Sequence, residues 1–344
     1  MSMGVRRGVV AAFAVALACA ASAATAAAVE PADEGEPPYF SLVGLLPPIG
    51  NPGAQDPNRP CPDGSPQCVD RTLERMHALL MRDGCDRKGL FLSNYIVVTD
   101  EYQRVARTAD GKRHSKYFHD PAWLAQEDAK FGEQYFAVRE QWDNPAQRNR
   151  VPPAWRIAFE ANDKRELRAT GDLLLGINAH VMNDMPFMLA AAGLHDGKGS
   201  SHKRDHNLFN EALSDTFDDV FEEVARRYDP SANLDVPGTE LEKTVIYQLL
   251  AGQREYVWRS AERLEGARTQ AERLRVAKQI EAFAAAQASA LKPLFMTYDG
   301  GAAGAAYCRK RMAAMGPEAF AHPERDTGPA PATPPALPLP RLLP

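Results

Sequence analysis

Proline is poorly tolerated inside an α-helix, because its ring removes a backbone donor and clashes with the preceding turn. In this chain it is kept to the ends. Of 27 prolines, 10 lie between Pro31 and Pro66 and 8 between Pro323 and Pro344, leaving 9 for the 256 residues from Gln67 to His322. The middle can therefore carry long helices, and it is long enough to bury a large core. The ends read differently. Residues 29–66 form a linker punctuated by Glu-Pro, Pro-Pro and Asn-Pro pairs, and 323–344 form a disordered Pro/Ala/Leu-rich tail.

Residues 1–28 carry the marks of a secretory signal. Arg6 and Arg7 supply the positive start, and Gly8 to Ala18 is an apolar run too short to span a bilayer. Ala21-Ser22-Ala23 and Ala24-Thr25-Ala26 both fit a small-residue cleavage signal. Cleavage would leave no transmembrane anchor and would take the formal charge from -5 to -7 by removing Arg6 and Arg7. Cys19 leaves with the signal, and Ala16 stands where a lipobox has Leu, which speaks against a lipoprotein. The expected location is secreted or in the cell envelope. A negative chain gives no basis for nucleic-acid binding.

Export sets the cysteine chemistry. Cys61, Cys68, Cys85 and Cys308 remain, an even number in an oxidising compartment, which suggests two disulfides with three possible connectivities. The turn-rich loop between Cys61 and Cys68 favours that pair, and Cys85–Cys308 would then tie the start of the core to its end. A zinc site is the alternative, although Cys-x6-Cys and Cys-x16-Cys are not zinc-ribbon spacings.

From 67 to 322 the periodicity is helical, and the fold class expected is all-α, a single bundle-like domain. Asp70 can cap a helix bearing Leu73, Met76, His77 and Leu80. Asp120-Pro121 places an N-cap before a proline, the preferred order for a helix start. Leu124, Phe131, Tyr135, Val138 and Trp142 follow on one stripe. Thr170 can cap a helix that runs to Ala192 and stops at Gly193. Ser201 can cap a long helix through Phe209, Leu213, Val224 and Tyr228. The best strand signal, Tyr95 to Val98, is four residues long and suits a helix equally.

One helix breaks the pattern. Leu173 to Leu189 is apolar nearly all round, the signature of a buried helix, yet it holds Asn178, His180, Asn183 and Asp184. Burying an unpartnered amide or hydroxyl costs roughly 2–7 kcal/mol, so these groups need partners. His180 and Asp184 are four apart and share a face, a spacing that can offer a nitrogen and a carboxylate oxygen to one metal ion. Pro186 removes the donor to the carbonyl of Met182, so a kink or opening is expected there. His202 and His206 are again four apart. Asp128 is an odd carboxylate on an apolar stripe, and Arg156 is a candidate partner for it. His180, Asp184, His206, His202 and Asp128 are thus candidate ligands for Zn or another divalent metal. Asn178, Asn183, Asp205 and Asn210 are candidate binding residues around them. The other reading of His180 and Asp184 is a buried structural pair.

Several segments carry a family resemblance. They are Phe118-His-Asp-Pro-Ala-Trp-Leu124 and Val151-Pro-Pro-Ala-Trp155, then Leu175-Gly-Ile-Asn-Ala-His-Val-Met-Asn-Asp-Met-Pro186 and Lys203-Arg-Asp-His-Asn-Leu-Phe-Asn210. Over roughly 70–295 they resemble the DUF5995 family of bacterial proteins of unknown function. The family helix reads Asn-Ala-His-Ile-Asn-x-Asp-Leu-Pro; His180, Asp184 and Pro186 match, and the interior Asn is shifted by one. The resemblance implies an all-α fold centred on His180 and Asp184, and no activity. The same helix is more weakly similar to the His-x3-Asp metal helix of zinc-dependent phospholipase C and nuclease P1 type phosphoesterases. That type also uses an N-terminal Trp, which the expected mature chain lacks. The function expected is a metal-dependent hydrolase of a phosphoester or lipid-like substrate. The alternative is a non-enzymatic exported binding or structural protein.

Overall fold

A computed structural model describes residues 42–49, 61–232, 240–297 and 301–325. Residues 1–28, read above as a signal, and most of 323–344 lie outside these residues. Among the described residues there is no β-strand, and only isolated bridges such as Leu167 with Met296. The protein is all-α. No helix among them is long and apolar enough to cross a membrane.

The chain runs through α1 (Pro66–Asp83), α2 (Lys88–Ala106), α3 (Pro121–Asp143) and α4 (Pro153–Lys164). Next come α5 (Ala169–Asn178), a π-helical turn (Ala179–Asp184) and α6 (Met185–Ala192). Then follow α7 (Lys203–Asp215), α8 (Phe217–Arg227), α9 (Glu240–Glu265) and α10 (Gln270–Leu291). The last are α11 (Ala302–Met315), α12 (Pro317–Phe320) and a 3₁₀ turn, Pro323–Arg325. The line α5–π–α6 is the hub. α2 packs on α5, α3 and α9 pack on α6, and α10 packs on α4 and on the π turn. This explains the all-round apolar sequence, because every face of the hub meets another helix. Gly176 lets α2 come close: a Cβ there would stand 2.7 Å from Cβ of Phe91.

Some of the local signals act as their residue types require. Asp120 Oδ1 accepts the backbone N–H of Trp123 at 3.0 Å, with Pro121 at the first helical position. Gly193 ends α6 with φ 88°, a conformation that suits glycine. Tyr95 to Val98 lies inside α2. Other starts differ from expectation. α1 begins at Pro66, so Asp70 is no cap; it takes Arg107 Nη2 at 2.7 Å instead. The hub begins at Ala169 rather than after Thr170. Ser201 is not the N-cap of α7, a place that His202 holds. The long helix expected through Tyr228 is interrupted at Thr216, whose hydroxyl bonds the carbonyl of Leu213 at 3.0 Å. Such back-bonding competes with the helix ladder.

Within 29–66, Leu42 and Val43 belong to the main core, in a 3₁₀ turn packed on α6 and α10. At the other end, α12 and the 3₁₀ turn to Arg325 pack on α1 and α2. The disulfides pair Cys61 with Cys68 and Cys85 with Cys308.

Candidate functional site

One carboxylate of the hub gathers several of its polar groups. Asp184 Oδ2 accepts the indole N–H of Trp155 at 2.8 Å and faces His180 Nδ1 at 2.9 Å. Asp184 Oδ1 accepts Asn183 Nδ2 at 2.7 Å. The indole and amide groups can only donate at these atoms, so the carboxylate is the common acceptor and His180 carries its proton on Nδ1. Burial lowers the His180 pKa, partly opposed by its hydrogen bond to Asp184, so the ring is neutral. Nε2 is then a bare lone pair, buried and without a hydrogen-bond partner.

The π turn sets this geometry. The N–H of Met185 bonds the carbonyl of His180, five residues back, immediately before Pro186. The opening expected at Pro186 takes this form, a feature that recurs at functional sites. Aromatic rings enclose the imidazole. Phe131 stacks on it with centroids 3.5 Å apart, and Tyr95 meets it edge-on at 4.7 Å. Phe91, Tyr135 and Trp155 complete the wall.

Asp128 lies one turn before Phe131 on α3, and its Oδ2 is buried with no hydrogen-bond partner. Burial, reinforced by Glu127, pushes its carboxyl up to about 8. Glu127 rises to about 7, mainly by burial, with Arg254 pulling it down and Asp205 pushing it up. The Tyr95 hydroxyl is also buried without a partner, and burial followed by the charges of Asp128 and Asp184 holds its pKa well up. Arg156, suggested as a partner for Asp128, donates instead to the carbonyls of Asn149 and Val151.

The remaining candidates serve other contacts. His202 stacks on Trp123 at 4.4 Å, and its Nδ1 is 3.8 Å from Asp120. His206 Nδ1 accepts Arg254 Nη2 at 2.9 Å, so a guanidinium occupies the place where a metal ion would sit. Asp205 accepts the backbone N–H groups of His119 and Asp120 at 2.9 and 2.5 Å, anchoring the loop before α3. Asn178 ties the hub to α10 through the carbonyl of Ala284 at 2.9 Å. Asn210 is buried with Oδ1 unpartnered. Among the described residues, no group of three His, Cys, Asp or Glu ligand atoms within 4.8 Å of one another includes His180. The structure thus brings together His180, Asp184 and Asn183, and keeps His202 and His206 in contacts of their own. Trp155 is the participant that sequence reasoning treated as core; a donor 29 residues from its acceptor leaves no local pattern.

The acid on α3 has a measurable consequence. Folded Asp128 keeps its proton up to about pH 8, whereas an unfolded aspartate loses it near pH 4. Unfolding therefore releases a proton between those values, and stability falls as pH rises through that window. Asp128→Asn cannot ionise. It is expected to flatten part of that fall and to exceed wild type by on the order of 1–3 kcal/mol above about pH 8, while matching it near pH 4. Urea unfolding across the window reads this directly. Parallel curves for the two proteins would mean that Asp128 is ionised in the fold.

A model for a family of unknown function, DUF5995, matches residues 69–293. No curated protein and no solved structure matches the chain.

Proposed function

The chain belongs to the DUF5995 family, whose function is unknown, and from its own buried groups we propose an exported hydrolase with His180 as general base. The observation that carries this is the divided imidazole: Nδ1 is held by Asp184, and Nε2 is buried with a free lone pair. That is the arrangement of a base oriented by a third group. Nε2 takes a proton from the attacking water, the water oxygen bonds to the substrate carbon or phosphorus, and Asp184 steadies the imidazolium. The imidazolium then gives that proton to the leaving oxygen. The aromatic wall favours an apolar, lipid-like ester over a highly charged phosphoester. Export is supported by the two disulfides. A zinc or other divalent ion would bind at Nε2. Asp184 would then be the acceptor that orients the ligand, and the ion would lower the pKa of a bound water.

The enclosure of the pair supports a second reading. The His180 and Asp184 side chains are 2% and 0% exposed, as suits a structural pair in a non-enzymatic protein. Turnover therefore requires the rings over His180 to yield. Wild type and His180→Gln should be compared on panels of nitrophenyl esters and phosphodiesters, with metal content measured on both. The expected result is hydrolysis of an apolar ester that falls roughly 10²–10⁴-fold in the variant, whose fold is kept. No turnover in wild type, or equal turnover in both, would favour the structural pair. Equal and negligible metal would remove the ion alone.

A further inference from the structure

A second histidine cluster lies away from the hub, where residues 317–325 pack back towards α1. Nε2 of His77, on α1, is 3.3 Å from Oε2 of Glu324, and Nδ1 of His322 is 3.0 Å from Oε1 of the same carboxylate. The imidazole centroids are 4.0 Å apart. One ligand atom from each of the three residues lies within 4.8 Å of the other two. The remaining nitrogen of His322, Nε2, is 3.3 Å from Oε1 of Glu318. The three side chains are 10–14% exposed, so the cluster is sheltered but reaches solvent.

We propose that His77 Nε2, His322 Nδ1 and the Glu324 carboxylate form a zinc-type divalent metal site, with Glu318 holding the second nitrogen of His322. Zinc takes nitrogen at about 2.0–2.1 Å and carboxylate oxygen at about 2.0–2.2 Å, which in a tetrahedron separates ligand atoms by roughly 3.3 Å. The observed 3.0 and 3.3 Å fit that spacing without rearranging helices. Two imidazoles and one carboxylate suit zinc, nickel or copper rather than calcium or magnesium. A ligand histidine usually donates its other N–H to a carboxylate, and Glu318 is placed to receive it. The fourth position is left to water. Arg325 stands 3.4 Å from Glu324, but it is 68% exposed and free to swing into solvent.

The site joins α1 to the last turn of the domain, and both His322 and Glu324 lie beyond the family-matched residues 69–293. The ion would act as a clasp on this chain's C-terminal segment, independently of the reading of His180.

The test uses the full mature chain without a histidine tag, stripped by chelator and titrated with Zn²⁺ and with Co²⁺. One tight equivalent is expected, with the visible absorption of four-coordinate Co²⁺. His77→Ala and His322→Ala should each weaken it at least 100-fold, and Glu318→Gln roughly 10–100-fold. His180→Ala should retain it, which separates this site from any ion at the hub. Should an alanine variant fail to fold, the histidine ring protons of the wild type, followed by NMR during the Zn²⁺ titration, decide instead: two imidazoles must shift together at one equivalent. Wild type that takes up neither ion, or His77→Ala and His322→Ala that bind as wild type does, would overturn the site.

Discussion

Asp184→Ala should cost the fold about 3–5 kcal/mol, the range for stripping one partner from a buried charged network. The carboxylate serves His180 Nδ1, Trp155 Nε1 and Asn183 Nδ2 together. Its removal leaves three donors buried on the hub, and each orphaned group carries a desolvation penalty of about 1–3 kcal/mol. Asp184→Asn is expected to cost less, because its amide oxygen still accepts from the indole or the imidazole. Its NH₂ group then faces another donor. Guanidinium unfolding of the three proteins measures the series. A loss below about 1 kcal/mol for the alanine variant would mean that solvent enters and replaces the acceptor. The same variant frees the imidazole to turn, so in the enzymatic reading its rate should fall with that of His180→Gln.

The second large effect is expected at the disulfides, and it is asymmetric. Cys85–Cys308 closes a loop with a sequence separation of 223, against 7 for Cys61–Cys68. If the bridge acts by restricting the unfolded chain, the long loop contributes about 5 kcal/mol and the short one about 2 kcal/mol. Cys85→Ser with Cys308→Ser should therefore lower stability by roughly twice as much as Cys61→Ser with Cys68→Ser. Thermal or denaturant unfolding of the two double variants, each in its folded form, makes the comparison. Equal losses would show that strain or residual unfolded structure, and not loop closure, governs both bridges.

Some features set by neighbours in sequence were legible; side-chain contacts with distant partners were not, apart from the Cys85–Cys308 bridge, to which the even cysteine count pointed. Asp120-Pro121 and Gly193 act within a turn of themselves, and both perform as their residue types require. His180 and Asp184 were visible as a pair because helical periodicity places them together. The π turn was not visible, since a missing N–H at Pro186 specifies a disturbance but not its form. The break at Thr216 was hidden inside a stripe that keeps its apolar register across the interruption. His206 looked like a ligand beside His202 until Arg254, 48 residues away, proved to hold its Nδ1. The pairing of His77 with Glu324 spans 247 residues, and no periodicity reaches that far. Periodicity supplied the helical architecture and the polar residues of an apolar helix drew attention to the hub; the resemblance supported both and stopped short of His322 and Glu324.

The indole of Trp155 gives the site an optical voice. Its N–H ends on Asp184, and its ring lies beside Phe91 and Tyr135 in the wall around His180. Tryptophan emission is sensitive to nearby charge and to water, so gain or loss of a proton at the dyad, arrival of a cation or opening of the wall would each change it. The chain has 4 tryptophans, and this one is 1% exposed. Subtracting the spectrum of Trp155→Phe isolates its light, so the occupancy of a site with no known ligand can be followed before any substrate has been found.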